Sequence, residues 1–267
     1  MQVRQKGKIG IFDSGLGGLT VMRQIAELYP KFDYVFFGDE KNLPYGSKEI
    51  DELKVITEGV LKYLYEEKDC LMVVIACNTV SSTLYERLND WTKANYPDRH
   101  LLGIVEATVD SLPENNKFVV LGTPRTIRSG AYKTFIHNKY PDAEVSQIEF
   151  PLLASYIEHG QDATEYLEAG YSTREKNLEG ATCVLACTHY GLIEDDIKRI
   201  FGECRDFVRQ EMITAKYVEK YIKAYNLDKE MSQESGVEII ISKDNPTFRR
   251  YANEWFPEST VEIENEV

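Results

Sequence analysis

Leu71-Met72-Val73-Val74-Ile75-Ala76-Cys77-Asn78-Thr79 carries six apolar residues straight into a cysteine and two polar side chains. An unbroken apolar run of this length reads as a strand covered on both faces, as in a parallel sheet. The stretch has an echo. Val184-Leu185-Ala186-Cys187-Thr188-His189 again ends an apolar run on a sulfur and then turns polar. Cys187 lies 110 positions beyond Cys77, and Thr123 lies 110 positions beyond Asp13. Asp13 stands in Ile11-Phe12-Asp13-Ser14-Gly15 and Thr123 in Leu121-Gly122-Thr123-Pro124. The chain therefore reads as two related halves, each with an early polar loop and a later cysteine loop. Polar loops at the carboxyl ends of buried strands are where α/β folds place chemistry. Two such halves facing each other would set a thiol on each side of one small cleft. That suits taking a proton from one face of a molecule and delivering one to the other.

Working outward, strands are expected at 8–12, 34–38, 70–76, 100–105, 117–121, 145–148, 182–186 and 237–242. Helical patterns fill 17–28, 49–67, 80–95, 126–140, 152–160, 173–178, 193–201, 212–225 and 246–255. Strands alternating with helices imply βαβ units. The expected fold is α/β, with two pseudo-symmetric lobes, each a mostly parallel sheet flanked by helices. Residues 1–100 and 212–267 would form the first lobe and 101–211 the second, the chain returning to where it began. The polar stretch 226–236 reads as a loop and 262–267 as a solvated acidic end.

At 267 residues with 43% hydrophobic content, the chain can bury a full core. Its 31 Lys and Arg against 44 Asp and Glu give a net charge of −13, a poor match to nucleic acid or an anionic membrane surface. An anionic ligand would need a local positive field from N–H groups, helix N-termini and hydroxyls. The first residues are basic with no apolar segment behind them, unlike a signal peptide, and no run is long enough to span a membrane. Five cysteines, an odd number, suit free thiols in the cytoplasm.

Asp13-Ser14-Gly15-Leu16-Gly17-Gly18-Leu19-Thr20 follows a strand and opens a helix, so its N–H groups can face an anion. It lacks the third glycine of a dinucleotide loop and the lysine of a P-loop, and a plain strand-to-helix turn capped by Asp13 or Ser14 is the simpler account. Cys183-x-x-x-Cys187-x-His189 has metal-ligand types, but no C-x-x-C pair accompanies it, and a redox disulfide lacks that signature too. A lone buried cysteine is more often a small core residue. The shared setting of the two, each at a strand end with polar neighbours, favours chemistry. No metal site is expected.

Taken in order, Phe12-Asp13-Ser14-Gly15-x-Gly17-Gly18-Leu19-Thr20, Gly38-Asp39, Pro44-Tyr45-Gly46, Ala76-Cys77-Asn78-Thr79, Gly122-Thr123-x-x-Thr126-Ile127-x-Ser129 and Ala186-Cys187-Thr188-His189-Tyr190 resemble the glutamate racemases. These are cofactor-independent members of the aspartate/glutamate racemase superfamily. The resemblance runs from about residue 8 to 190, and 239–256 looks like the family's ending. It implies two lobes around a shared cleft, interconversion of L- and D-glutamate, and supply of D-glutamate for peptidoglycan, and so cell-wall biogenesis and cell shape. Carried over position by position, Cys77 would take the α-proton of D-glutamate and Cys187 that of L-glutamate. Asp13 and His189 would assist the thiols, and Glu158 matches a family glutamate near the second cysteine. Ser14, Pro44, Tyr45, Gly46, Asn78, Thr79, Thr123, Thr126 and Thr188 match substrate-holding positions. A homodimer is the family expectation.

The chemistry is consistent with the residues themselves. Inverting a stereocentre requires a base on one face and an acid on the other, since a single base returns the proton to the face it left. With no clear lysine site for an electron-sink cofactor, the site would need a good base in an enclosed space. A thiol of ordinary pKa about 8.5 serves once a helix N-terminus or a histidine lowers it. Departures from the family pattern are Glu40 where threonine is usual, Phe150 in place of a cysteine, Gly191 in place of proline, and the absence of a Ser-Gly pair in 209–215. The rival readings are aspartate racemisation and a non-catalytic protein that binds an acidic amino acid. With both cysteines present, a single-cysteine decarboxylase fits less well.

Overall fold

The computed structural model describes residues 6–172 and 177–267. The chain begins with β1 (Lys8–Asp13), α1 (Gly18–Leu28), β2 (Tyr34–Gly38), α2 (Ile50–Glu66), β3 (Cys70–Ile75), α3 (Asn78–Asn95) and β4 (His100–Gly103). After α4 (Val105–Asp110) come β5 (Lys117–Gly122), α5 (Pro124–Ser129), α6 (Ala131–Lys139), β6 (Glu144–Glu149), α7 (Leu153–Glu158) and α8 (Thr164–Ser172). Then follow β7 (Thr182–Ala186), α9 (Glu194–Ile200), β8 (Asp206–Val208), α10 (Gln210–Tyr225), β9 (Val237–Ile241), α11 (Pro246–Trp255) and β10 (Val261–Ile263).

The strands form a six-stranded sheet ordered β10-β9-β2-β1-β3-β4 and a four-stranded sheet ordered β6-β5-β7-β8. Every pairing between named strands is parallel. The order β2-β1-β3-β4 of the first sheet is repeated in the second as β6-β5-β7-β8. The two-lobe α/β expectation therefore holds, and the spacing of 110 between Asp13 and Thr123 and between Cys77 and Cys187 corresponds to matching strand ends.

The unbroken apolar runs follow from the sheets having two covered faces. In β3, Met72 and Val74 pack with α1, α10 and α11, while Cys70, Val73 and Ile75 pack with α2 and α3. In β7, Cys183 and Leu185 face α7, α8 and α9, while Val184 faces α4 and α6. The return of α10 to the first lobe places Ala215, Val218 and Ile222 in the core around β1 and α1.

Several local expectations change. The strand expected at 100–105 stops at Gly103 and pairs with β3, so it edges the first sheet rather than opening the second half. Residues 126–140 are not one helix: Gly130, at φ 71°, ends α5 in the left-handed conformation that glycine adopts without steric cost. The helix expected at 173–178 falls largely outside the described residues, and α8 ends just before it. Residues 226–236 are not wholly loose, since Met231 is buried in the first core. The end of the chain is also not simply solvated, because β10 pairs in register with β9. Among the described residues no helix is long and apolar enough to cross a membrane.

Candidate active site

The carboxyl ends of β1, β3, β5 and β7 converge on one cavity of about 300 Å³ at the seam between the sheets. Cys77, Asn78 and Thr79 enter it from the start of α3, and Ser14 from the loop after β1. Thr123, Glu158, Cys187, Thr188 and His189 enter from the second lobe. Pro44, Tyr45 and Gly46 form a further wall. Asp13 and Thr126 stand one layer back, each hydrogen-bonded to cavity residues.

Two cross-lobe hydrogen bonds close the seam in a matched way. Thr188 Oγ1 donates to Asp13 Oδ2 at 2.9 Å. Thr79 Oγ1 and Thr123 Oγ1 are 3.0 Å apart, and Thr126 Oγ1 supports Thr123 at 3.1 Å. Each early loop thus bonds to the cysteine loop of the other half.

The surroundings of the two sulfurs differ. Cys77 Sγ donates to Ser14 Oγ at 3.7 Å, and Ser14 Oγ donates to Asp13 Oδ1 at 3.1 Å. Burial and then the Asp13 charge push the Cys77 thiol up to about 12, against the Val80 N–H and the Ser14 hydroxyl. Cys77 precedes the first turn of α3, but loss of water outweighs the favourable helix N-terminus there. Burial also raises Asp13, opposed by the His189 charge and by hydrogen bonds from Thr188, Gly15 and Ser14.

Cys187 Sγ lies 3.7 Å from His189 Nδ1, and His189 Nε2 lies 2.5 Å from Glu158 Oε2. Burial alone would lower His189, but its bonds to Cys187 and Glu158 prevail and push it well above the ordinary imidazole range. Burial would raise Glu158; the His189 charge and several donors hold it below the usual carboxylate value instead. One of those donors is Leu16 N, at 3.2 Å and 3.1 Å from the two Glu158 oxygens. His189 is thus an imidazolium between a carboxylate and a sulfur.

Tyr45 OH donates to Asp39 Oδ2 at 2.6 Å, and Ser242 Oγ donates to Asp39 Oδ1 at 2.7 Å, so the tyrosine braces the wall. Asn78 Oδ1 accepts from Tyr132 OH at 2.5 Å and from Gln210 Nε2 at 3.0 Å. Tyr132, Gln210 and Asn245 are site-supporting residues that sequence reasoning missed. Each arrives from an element distant in the chain, and none stands in a motif. Asn245 follows β9 and donates from Nδ2 to Glu158 Oε1 at 3.0 Å.

The departures have physical counterparts. Phe150 is buried among Tyr166, Tyr190 and the Cα of Gly170, where an added Cβ would meet its ring at 2.2 Å. Gly191 leaves room for Glu211: a Cβ there would meet Glu211 Oε1 at 2.3 Å. Two departures thus meet in space, since Glu211 belongs to the stretch 209–215. Gly191→Ala is expected to lower stability by about 1–3 kcal/mol through overpacking, and Gly191→Ala/Glu211→Ala to recover much of it. Thermal unfolding of the native protein, both single variants and the double variant checks this, and additive losses would refute it.

Among the described residues no group of three or more His, Cys, Asp or Glu side chains could hold a metal ion. Cys183 is buried beside Cys204, away from the cavity, and all five cysteines are free.

The fold and cavity define a two-lobed α/β protein with a polar cavity at the seam. The family model described as Asp/Glu/Hydantoin racemase matches residues 9–205. The glutamate racemase of Clostridium novyi (strain NT) is 35% identical over 204 residues, 74% of this chain and 76% of that protein. Glutamate racemase 2 of Caldanaerobacter subterraneus subsp. tengcongensis is 32% identical over 250 residues, 91% of each. A crystal structure of glutamate racemase from Francisella tularensis subsp. tularensis in complex with D-glutamate superposes with a TM-score of 0.83 at 25% identity, covering 97% of both chains. The chain belongs to the Asp/Glu/Hydantoin racemase family, and the protein is a racemase.

Proposed function

We propose that this racemase interconverts L- and D-glutamate by a two-base mechanism, with Cys77 and Cys187 on opposite faces of the α-carbon. The observation that carries this reading is the pairing of two unlike thiol environments on one cavity. Cys77 is buried near the Asp13 carboxylate, which favours the thiol. Cys187 instead abuts the His189 ring, whose other nitrogen is paired with the Glu158 carboxylate. A racemase of this kind needs one sulfur charged and one protonated in each direction. In the direction from L-glutamate, Cys187 takes the α-proton and Cys77 gives its own to the opposite face. From D-glutamate the roles reverse.

The two substrate carboxylates and the developing negative charge require donors rather than a full cation. The Asn78 amide, the Thr79 and Thr123 hydroxyls and the N–H groups at the start of α3 would supply them, while the Ser14 and Thr188 hydroxyls, which donate to Asp13, line the cavity as acceptors. The names of the relatives and the D-glutamate-bound structure favour glutamate over aspartate. Supply of D-glutamate for peptidoglycan is the cellular role that follows.

The test is proton NMR in D₂O, with L-glutamate, D-glutamate and L-aspartate in separate samples and no added cofactor. Loss of the α-proton signal from both glutamates, with decay of circular dichroism to zero, is expected. Exchange confined to aspartate would keep the mechanism and change the substrate. No exchange in a folded, reduced sample would leave only a binding protein.

A further inference from the structure

Glu40 borders the cavity yet takes no part in the mechanism above. It is buried, and Asn245 Nδ2 bonds its Oε2 at 2.9 Å while bonding Glu158 Oε1 at 3.0 Å, so one amide holds two acids together. Both carboxyl groups also close on one spot, since an added Cβ on Gly15 would lie 2.3 Å from Glu158 Oε2 and 3.3 Å from Glu40 Oε1. Two buried carboxylates held together in this way repel unless one of them carries a proton to share. Glu158 is the anion, since it accepts from Leu16 N and His189. Among the described residues no donor reaches Glu40 Oε1. Ionised, that oxygen would be buried without a donor; protonated, it carries a hydrogen that the Glu158 carboxylate beside it can accept.

Resting on the racemase reading, we propose that Glu40 is a positioning residue for the Cys187 half of the site. It is a neutral carboxylic acid whose hydrogen bond to Glu158 fixes the Glu158–His189 pair, and thereby the proton His189 holds against Cys187. Glu40 acts through Glu158 and is not itself the acid or base of the reaction.

The electrostatics agree with this geometry. Burial first, then the Glu158 charge and hydrogen bond, push Glu40 up to about 9, against the pull of Asn245 and His189. The charged groups facing it are Glu158 at the end of α7 and His189 after β7, while Lys41, Lys243 and Asp244 border the same cavity. The folded protein keeps this proton to about pH 9, whereas the unfolded chain releases it near 4.5. The stability Glu40 contributes is therefore complete below 4.5 and is lost as pH rises toward 9.

The experiment compares the native protein with Glu40→Gln and Glu40→Leu. The infrared difference spectrum of native against Glu40→Gln is expected to show a protonated-carboxyl carbonyl band at neutral pH that fades as pH passes about 9. The melting temperature of Glu40→Gln relative to native is expected to rise between about pH 5 and about pH 8.5. Glu40→Leu, which cannot donate to Glu158, is expected to slow α-proton exchange about thirtyfold, and Glu40→Gln, whose amide can, to recover it to within about fivefold of native. Absence of the band, a melting difference that does not grow with pH, or native exchange in Glu40→Leu would overturn the proposal. The band and the melting curves involve no substrate, so they judge Glu40 even if glutamate fails to exchange, which would sink the racemase reading by itself. They also stand if Glu40→Leu fails to fold.

Discussion

Cys77→Ser and Cys187→Ser are each expected to lower glutamate racemisation by about 10²–10⁴-fold, the usual worth of a positioned acid or base. Rate alone will not separate the two sulfurs. L- and D-glutamate are mirror images with equal free energy, so kcat/KM must fall by the same factor in both directions. Isotope exchange does separate them. In Cys77→Ser, Cys187 can still take the α-proton of L-glutamate, trade it with D₂O and return deuterium to the same face. L-Glutamate then loses its α-proton signal without inverting, and D-glutamate keeps it. Cys187→Ser should show the reverse. The measurement is NMR for the α-proton alongside circular dichroism for configuration. If either variant exchanges both enantiomers, the sulfurs are not the two bases, and the unlike environments of Cys77 and Cys187 need another explanation.

The parts of the molecule legible in the sequence are those set by local pattern. The strands β3 and β7 announce themselves because both faces of each are covered, so apart from Thr182 at the start of β7 they run apolar. The cysteines at their ends are visible because the run stops on them. The spacing of 110 is visible because the two halves keep the same strand order. What was hidden depends on contacts between distant residues. Gln210 reaches Asn78 only because α10 returns across the seam, and Asn245 reaches Glu158 only because β9 rejoins the first sheet. Glu40 stands out in the sequence only as a departure from the family's threonine, and the acid it meets through Asn245, Glu158, lies 118 positions away. The break at Gly130 was missed because glycine permits the left-handed turn without requiring it. The three-residue strands β8 and β10 are too short for a period to show.

Gly17→Ala is expected to lower kcat/KM by about a hundredfold, although the backbone at this position does not demand glycine. Gly17 caps α1 with φ −56° and ψ −35°, a conformation open to any residue. The obstacle lies in the other lobe. A Cβ on Gly17 would come within 2.5 Å of Thr188 Oγ1 and 2.7 Å of both His189 N and His189 Nδ1. Thr188 holds Asp13, and His189 holds Cys187, so relieving the clash moves both cross-lobe contacts together. A shift of about 1 Å in a catalytic group is enough for a hundredfold loss. Gly59→Ala is the control: it lies in α2 with nothing within 4 Å of an added Cβ. That change should raise the melting temperature and leave racemisation unchanged. If Gly17→Ala behaves like Gly59→Ala, the lobes have slack at this point, and close contact between α1 and the loop after β7 does not set the reaction geometry. If it loses rate while unfolding close to native, the loop after β1 serves catalysis by letting the two lobes approach, and its glycines are there for the other half of the chain rather than for their own turn.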